Sequence, residues 1–354
     1  MEKMPRLKLQ VDTDVFELRE VIRESGIEER SEIGQIDVHF PEGCFIQTPA
    51  IAFLTSWLLS KKNEGHTISL EGSQRAIGYL ARMNFHRSLE LEEPAHSRLP
   101  ESGRFIPLML VEDGESVFKA VNLIADTILQ QFDTASDFLP ALEWAVNEIV
   151  DNVLIHSQTQ SPGVVCAQLF ENKERLKIAI CDSGIGIYES LKGSYSIDDD
   201  DSAIEKALER GVTRDLKIGQ GNGLAGSLEI LSQNRGEFSL WSGKTIFHSN
   251  QDGERRFFKG HGIPGTGVSM SFNLSKPVSL GNTWIGERDY SYIDAEADRI
   301  SEEGIVIKDV CSHTGSRPPA TRLRRKILTI LPEIEGSISL DFSGIKSFSS
   351  SFLD

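Results

Sequence analysis

Apolar and polar positions change period several times along the chain, and each change marks an element. Leu7, Leu9 and Val11 alternate with polar neighbours, as a short strand does, and residues 16–25 follow with helical spacing. Residues 36–40 alternate again. Residues 48–62 are strongly apolar, with Thr48 in a capping position and Pro49 at the first helical position, which predicts a helix start at that point. A strand over 67–70 and a helix over 73–83 complete a strand–helix–strand–helix unit of roughly a hundred residues, a small α/β arrangement.

Residues 92–103 are polar, contain Pro94 and Pro100, and read as a linker. An apolar strand over 105–111 precedes helical spacing over 113–132 (Val117, Val121, Ile124, Ile128), a turn at 133–137, and a further helix running to His156. Two β-rich runs, 164–170 and 176–181, flank E-N-K-E-R and predict a hairpin. Residues 188–220 are polar and read as flexible, with a helix-like stretch at 202–210 and an acidic run, Asp198–Asp201, expected to be solvated and mobile. An apolar helix over 224–233 then leads to four expected strands at 237–241, 244–248, 255–259 and 267–274. This half reads as a helix layer on a largely antiparallel sheet, an α+β sandwich. Residues 277–289 read as a second linker. A strand at 305–309, a basic helix at 319–331 and a strand at 337–342 make a third small unit, and S-F-S-S-S-F-L-D reads as the opening turn of a helix that is not completed. The expected division is 1–100, 101–278 and 279–354.

Composition narrows the function classes. With 354 residues, 39% hydrophobic and 25% charged, the chain has the make-up of a soluble protein of two or three domains. Fifty-three acidic against 37 basic residues give a net charge of −16, which opposes broad nucleic-acid binding but leaves room for a local basic patch. The longest apolar run, 51–59, is interrupted by Thr55 and Ser56 and is too short to span a bilayer, and the N-terminus has no apolar signal core. Cys44, Cys166, Cys181 and Cys311 are scattered without a C-x-x-C pair, so neither structural zinc nor a disulfide framework is expected. A cytoplasmic location is the expectation.

Three segments carry candidate chemistry. In N-E-I-V-D-N-V-L-I-H, residues 147–156, the i, i+4, i+8 spacing of Glu148, Asn152 and His156 places a carboxylate, an amide and an imidazole on one helix face, beside an apolar stripe of Ala145, Ile149 and Val153. D-S-G-I-G-I follows at 182–187 and G-Q-G-N-G-L-A-G at 219–226. Each alone is a weak signal, but their order, with a hairpin between the first two and a long polar segment between the last two, is a strong joint one. There is no G-x-x-x-x-G-K-[ST], and the last loop follows no strand, so neither a P-loop nor a dinucleotide-binding turn fits.

These motifs resemble the GHKL ATP-binding family (DNA gyrase, MutL proteins, histidine kinases, anti-sigma-factor serine kinases), over about residues 113–275, nearest the anti-sigma kinase branch. The resemblance implies a central Bergerat-type ATP-binding sandwich. Asn152 would supply an oxygen to Mg²⁺, Asp182 would accept the adenine amino proton, and Gly184 and Gly186 would keep that loop close to the base. Gly219, Gly221 and Gly223 would end an ATP lid, with the helix from Leu224 aimed at phosphate. Glu148 would be the carboxylate serving the nucleophile, whether water or a serine hydroxyl. His156, Arg214 and Lys217 would be phosphate contacts, each set against a plain packing or solvated role. The element order of residues 1–100 resembles a STAS-like domain, the fold of anti-anti-sigma factors. D-F-S-G-I-K-S-F-S-S-S-F-L-D at the C-terminus resembles the STAS-like segment that carries a phospho-acceptor serine. Ser350 or Ser349 would lie nearest that position, although Ser349 and Phe352 replace the usual aspartate and glycine. Arg322, Arg324, Arg325 and Lys326 form a basic helix face. Three functions follow: an ATP-hydrolysing switch signalling to a protein partner, a serine kinase acting on a STAS-like partner or on its own C-terminal unit, and a nucleotide-gated interaction protein with little turnover. A homodimer is compatible with each.

Overall fold

The computed structural model describes residues 6–10, 12–29, 32–94, 105–132, 138–213, 221–278, 304–310, 320, 323–324, 327 and 337–345. The architecture is mixed α+β, with several sheets and helices. By packing, the chain forms two units, Met1–Val117 with Ala145–Lys276, and Phe118–Trp144 with Pro277–Asp354. The linker expected at 92–103 is described only to Pro94, that at 277–289 only to Val278, and the turn at 133–137 lies outside the described residues.

In the first unit, β1 (Arg6–Lys8), β3 (Gln35–Phe40) and β5 (Thr67–Gly72) form a parallel sheet in the order β1-β3-β5. A short parallel pair joins β2 (Asp12–Thr13) to β4 (Phe45–Ile46). Helix α1 (Val15–Ser25) opens on a capping box between Asp14 and Glu17 and ends at Gly26, whose φ of 64° closes the helix in the left-handed conformation. Helix α2 (Thr48–Asn63) follows β4, then α3 (Gln74–Arg82) and α4 (Phe85–Ser88) follow β5. Thr48 is not the cap of α2. Gln47 occupies that position without a side-chain bond, and the Thr48 hydroxyl instead donates to Gln168 Oε1 at 2.9 Å.

The second sheet is antiparallel, in the order β6-β7-β8-β10-β9, from β6 (Phe105–Val111), β7 (Gly163–Phe170), β8 (Arg175–Asp182), β9 (Glu237–Ser249) and β10 (Arg255–Asn273). A 3₁₀ turn at Glu171–Lys173, with Glu174 left-handed, closes the expected hairpin. The four strands expected after residue 236 are two long ones. Gly243 and the Gly260–Gly262 stretch suggest breaks, but the chain passes through them with register shifts between Lys259 and Ile263 and between Ile263 and Thr266.

Both faces of this sheet are covered, which is why β7 reads as a nearly unbroken apolar run. Side chains alternate, so Val164, Cys166, Ala179, Cys181 and Trp241 point to one face. There they share a core with α1, α2 and the first sheet, including Leu18, Ile22, Phe53, Leu54 and Trp57. Phe53 meets the Trp241 ring edge-on with centroids 6.3 Å apart, a favoured arrangement for aromatic pairs. Thirteen of the sixteen α2 residues are buried, so this helix is apolar on all sides because it packs between two sheets. Its C-terminal Asn63 donates to Ser161 Oγ at 2.8 Å. The opposite face carries Val165, Ala167, Ile178, Ile180, Val268 and Met270, all buried, and ends in Asp182.

Helices α5 (Gly114–Gln131) and α6 (Phe138–His156) each contribute to both units. In the second unit, β11 (Ile305–Val306) pairs in parallel with β12 (Leu340–Asp341), and a short helix, Ile307–Val310, replaces the rest of the strand expected at 305–309. Ile305, Ile307 and Leu323 form its small core with Ile327, Ile338 and Ile345 against them. No helix among the described residues is long and apolar enough to cross a membrane.

Candidate functional site

Three chain segments separated in sequence meet around the C-terminal half of α6. Glu148 and Asn152 both face Gly223, the first residue of helix α9 (Gly223–Gln233). A Cβ on Gly223 would stand 2.8 Å from Glu148 Oε2 and 3.1 Å from Asn152 Nδ2. The carboxylate and the amide, one helical turn apart, therefore lie against the amino end of α9. That end presents backbone N–H groups and positive potential. Glycine at this position lets the two helices approach that closely.

The D-S-G-I-G loop is fixed to the end of the same helix. Ile185 N donates to Ser157 O at 2.9 Å, and a Cβ on Gly184 would lie 2.1 Å from that same oxygen. Gly186 has φ of 77°, and its neighbour Ile187 donates its N–H to Ser242 Oγ at 2.9 Å. Asp182 closes β8 opposite Thr266 of β10. Its side chain is 6% exposed and accepts from Gly184 N at 2.7 Å. Burial pushes its pKa up to about 7, opposed by the N–H groups of Gly184 and Thr266. A carboxylate oxygen can accept more than one hydrogen bond, so this buried acceptor is also suited to a ligand N–H.

The second glycine loop is braced from the other side. Gly221, at φ of 71°, packs so closely on Val212 that a Cβ would sit 2.5 Å from its carbonyl carbon. Asn222 Oδ1 accepts from Gly211 N at 3.2 Å, and Tyr195 OH donates to the carbonyl of buried Thr213 at 3.0 Å. Arg214, Lys217 and Gly219 lie outside the described residues, as does the His156 side chain. Leu224 is the second residue of α9.

The acidic run is solvated only in its first half: Asp198 and Asp199 are exposed, whereas Asp200 and Asp201 are partly buried. Asp199 caps α8 (Asp200–Ala207) through a capping box with Ser202. Asp200 accepts from Lys244 N at 2.8 Å, and Asp201 accepts from Thr245 Oγ1 and pairs with Lys259 at 2.6 Å. The run docks α8 onto the β9–β10 bend. Short acidic runs are usually surface features, and no local signal marks Lys244 and Thr245 as their partners. Ser242, Gly265 and Thr266, which shape the Asp182 loop, also escape sequence reading. The hint was P-G-T-G: Gly265 has φ of 100°, and a Cβ there would lie 2.0 Å from Asp182 O.

Among the described residues no three His, Cys, Asp or Glu side chains form a metal cluster. Cys166 and Cys181 are buried with thiols pushed well up by burial, as inert core residues are.

Residues 319–354 match the family model of a STAS-like domain of unknown function (DUF4325). A STAS-like domain therefore lies near the C-terminus, over the segment that holds the basic residues 322–326 and the serine run. Ser349, Ser350, Arg322, Arg325 and Lys326 are outside the described residues, and Arg324 is exposed. No curated protein matches the chain.

Proposed function

We propose that the first unit binds ATP with Mg²⁺ in the manner of GHKL proteins and hydrolyses it, as a switch whose nucleotide state is read by a protein partner. The observation that carries this reading is the convergence of Glu148 and Asn152 on Gly223, with the Asp182 loop tied to the end of the same helix. The residues fit the ligand. Asp182 is a buried acceptor suited to an amino group on a base, with Gly184 and Gly186 keeping the loop low beside it. Asn152 offers one amide oxygen, as suits an ion that keeps most of its water. Mg²⁺, when bound, neutralises phosphate charge. The N–H groups opening α9 at Gly223 and Leu224 receive phosphate oxygens. Glu148 orients a water for attack and takes its proton.

The C-terminal STAS-like match favours a second reading, in which Glu148 serves a serine hydroxyl of a STAS-like segment, on a partner or at Ser349 or Ser350 of this chain.

Following free phosphate and labelled protein together from γ-labelled ATP separates these. Glu148→Ala is expected to lower turnover at least about a hundredfold while ATP affinity stays within about threefold. Label on protein that disappears in Ser350→Ala would select the self-directed kinase. Binding without turnover in the wild type would leave a nucleotide-gated interaction protein, and absence of binding would remove the assignment.

Gly223→Ala tests the same contact sterically. The two nearest atoms it meets are the tips of two side chains, which can rotate away, and the third, Glu148 Cβ at 3.2 Å, need give by only a few tenths of an ångström. Its stability should change by no more than about 1 kcal/mol. Turnover should fall about tenfold or more, because Glu148 and Asn152 are displaced from the amino end of α9.

A further inference from the structure

Arg19 is the most deeply buried charged side chain among the described residues of the first unit, 1% exposed, and nothing in the proposed chemistry uses it. It leaves α1 and reaches the bend of the β9–β10 hairpin. There its guanidinium donates to the carbonyl oxygens of Gly243 and of His261, the latter from Nε at 3.0 Å. The bend explains why these acceptors are available. Register shifts on both sides of Ile263 interrupt the ladder, and Gly243 turns with φ of 56°. Burial lowers the Arg19 pKa to about 10, opposed chiefly by the Asp200 carboxylate and then by Glu20, so the group stays charged at neutral pH.

Asp200 sits on the other side of the same bend. It takes the N–H of Lys244, the residue after Gly243, and a Cβ on Gly243 would collide with its carboxylate at 2.3 Å. Helix α8 thus rests on a bend that Arg19 holds from beneath. Residues 211–213, which follow α8, brace Gly221 and Asn222, and these lead directly into Gly223 against Glu148 and Asn152.

We propose that Arg19 is a positioning residue. By tying the carbonyls of Gly243 and His261 to α1, it fixes the seat of α8 and through it the glycine loop 221–223, so that the N-terminal α/β segment sets the geometry of the ligand site. The network runs from Arg19 through hydrogen bonds to α8, along the chain to residues 211–213, and through a hydrogen bond and close packing to 221–223. Its functional consequence rests on the nucleotide reading given above, whereas its structural consequence does not.

Amide hydrogen exchange on the whole protein, together with MgATP titration, decides the matter. In Arg19→Met, the amides of α8 should exchange on the order of tenfold faster, while those of β7 and β8 keep their wild-type rates. MgATP affinity should fall about tenfold, within the coupling that such networks carry. Combining Arg19→Met with Asp200→Asn should add little to the α8 exchange of either single variant, since both act on one seat. Unchanged α8 exchange overturns the proposal, as does a uniform rise through β7 and β8, which marks a merely structural arginine. Additive effects of the pair also overturn it. Should Arg19→Met not fold, Arg19→Gln, which keeps a donor for one carbonyl, is read against the same outcomes. If the wild type binds no MgATP, the nucleotide reading falls, and the exchange pattern still decides the role of Arg19.

Discussion

Asp182→Asn is expected to do two opposite things. Ligand affinity should drop on the order of a hundredfold or more, because the buried acceptor for a base amino group becomes an amide that can present a donor to it. The pH dependence of stability should at the same time flatten. Burial holds the Asp182 carboxyl at about 7, against 3.8 for the free side chain. Between those values the native state binds a proton that the unfolded chain has released. The contribution is therefore fully present below about pH 4 and is lost as pH rises through about 7, by up to roughly 4 kcal/mol from this one group. Urea unfolding at pH 5 and pH 8 checks this. The wild type should lose stability across that interval, and the asparagine variant should lose much less. Equal slopes in the two proteins would mean that the carboxyl is solvated rather than buried.

Gly184→Ala is expected to be a severely damaging small substitution in the site. Its Cβ would lie 2.1 Å from Ser157 O and 2.6 Å from Ser157 C, both backbone atoms that no rotamer change can move. Relief requires parting the Asp182 loop from the end of α6, which breaks the Ile185 to Ser157 bond and exposes the Asp182 carboxyl. A loss of about 3–4 kcal/mol in unfolding free energy follows. Gly193→Ala is the matched control: a Cβ there meets nothing within 4 Å, so it should change stability by less than about 0.5 kcal/mol. If both variants unfold at the same denaturant concentration, the close approach of the loop to α6 is wrong.

Local periodicity told most about elements whose side chains report one environment. Helix α1 has a capping box and a left-handed glycine stop, and its expected range, 16–25, differs from the observed Val15–Ser25 by one residue. Helix α2 was recognisable from its apolar run, but nothing local in that run names the sheet that covers its second face. The β9–β10 hairpin reads as four strands because glycine normally ends a strand, whereas here Gly243 and Gly260–Gly262 bend a continuous pair. The site divides in the same way. The i, i+4 spacing of Glu148 and Asn152 placed them on one face, and the structure sets Gly223 against that face. Arg19, Asp200, Ser242 and Thr266 act through partners 24 to 242 residues away, so no window of sequence contains the pair. Long-range hydrogen bonds of that kind leave no periodic trace.

The position of α2 between two sheets has a consequence for biosynthesis. A nascent chain completes α2 at Asn63, yet β7 begins only at Gly163 and β8 ends at Asp182. At ribosomal rates of about 5–20 residues per second, the face that will meet those strands waits on the order of 5–20 s for its cover. Throughout that interval Phe53, Leu54 and Trp57 belong to a helix that is greasy on every side and only half enclosed. The amino-terminal segment should therefore be sticky when released alone, and chaperone demand should be concentrated before the hairpin of β7 and β8 has emerged.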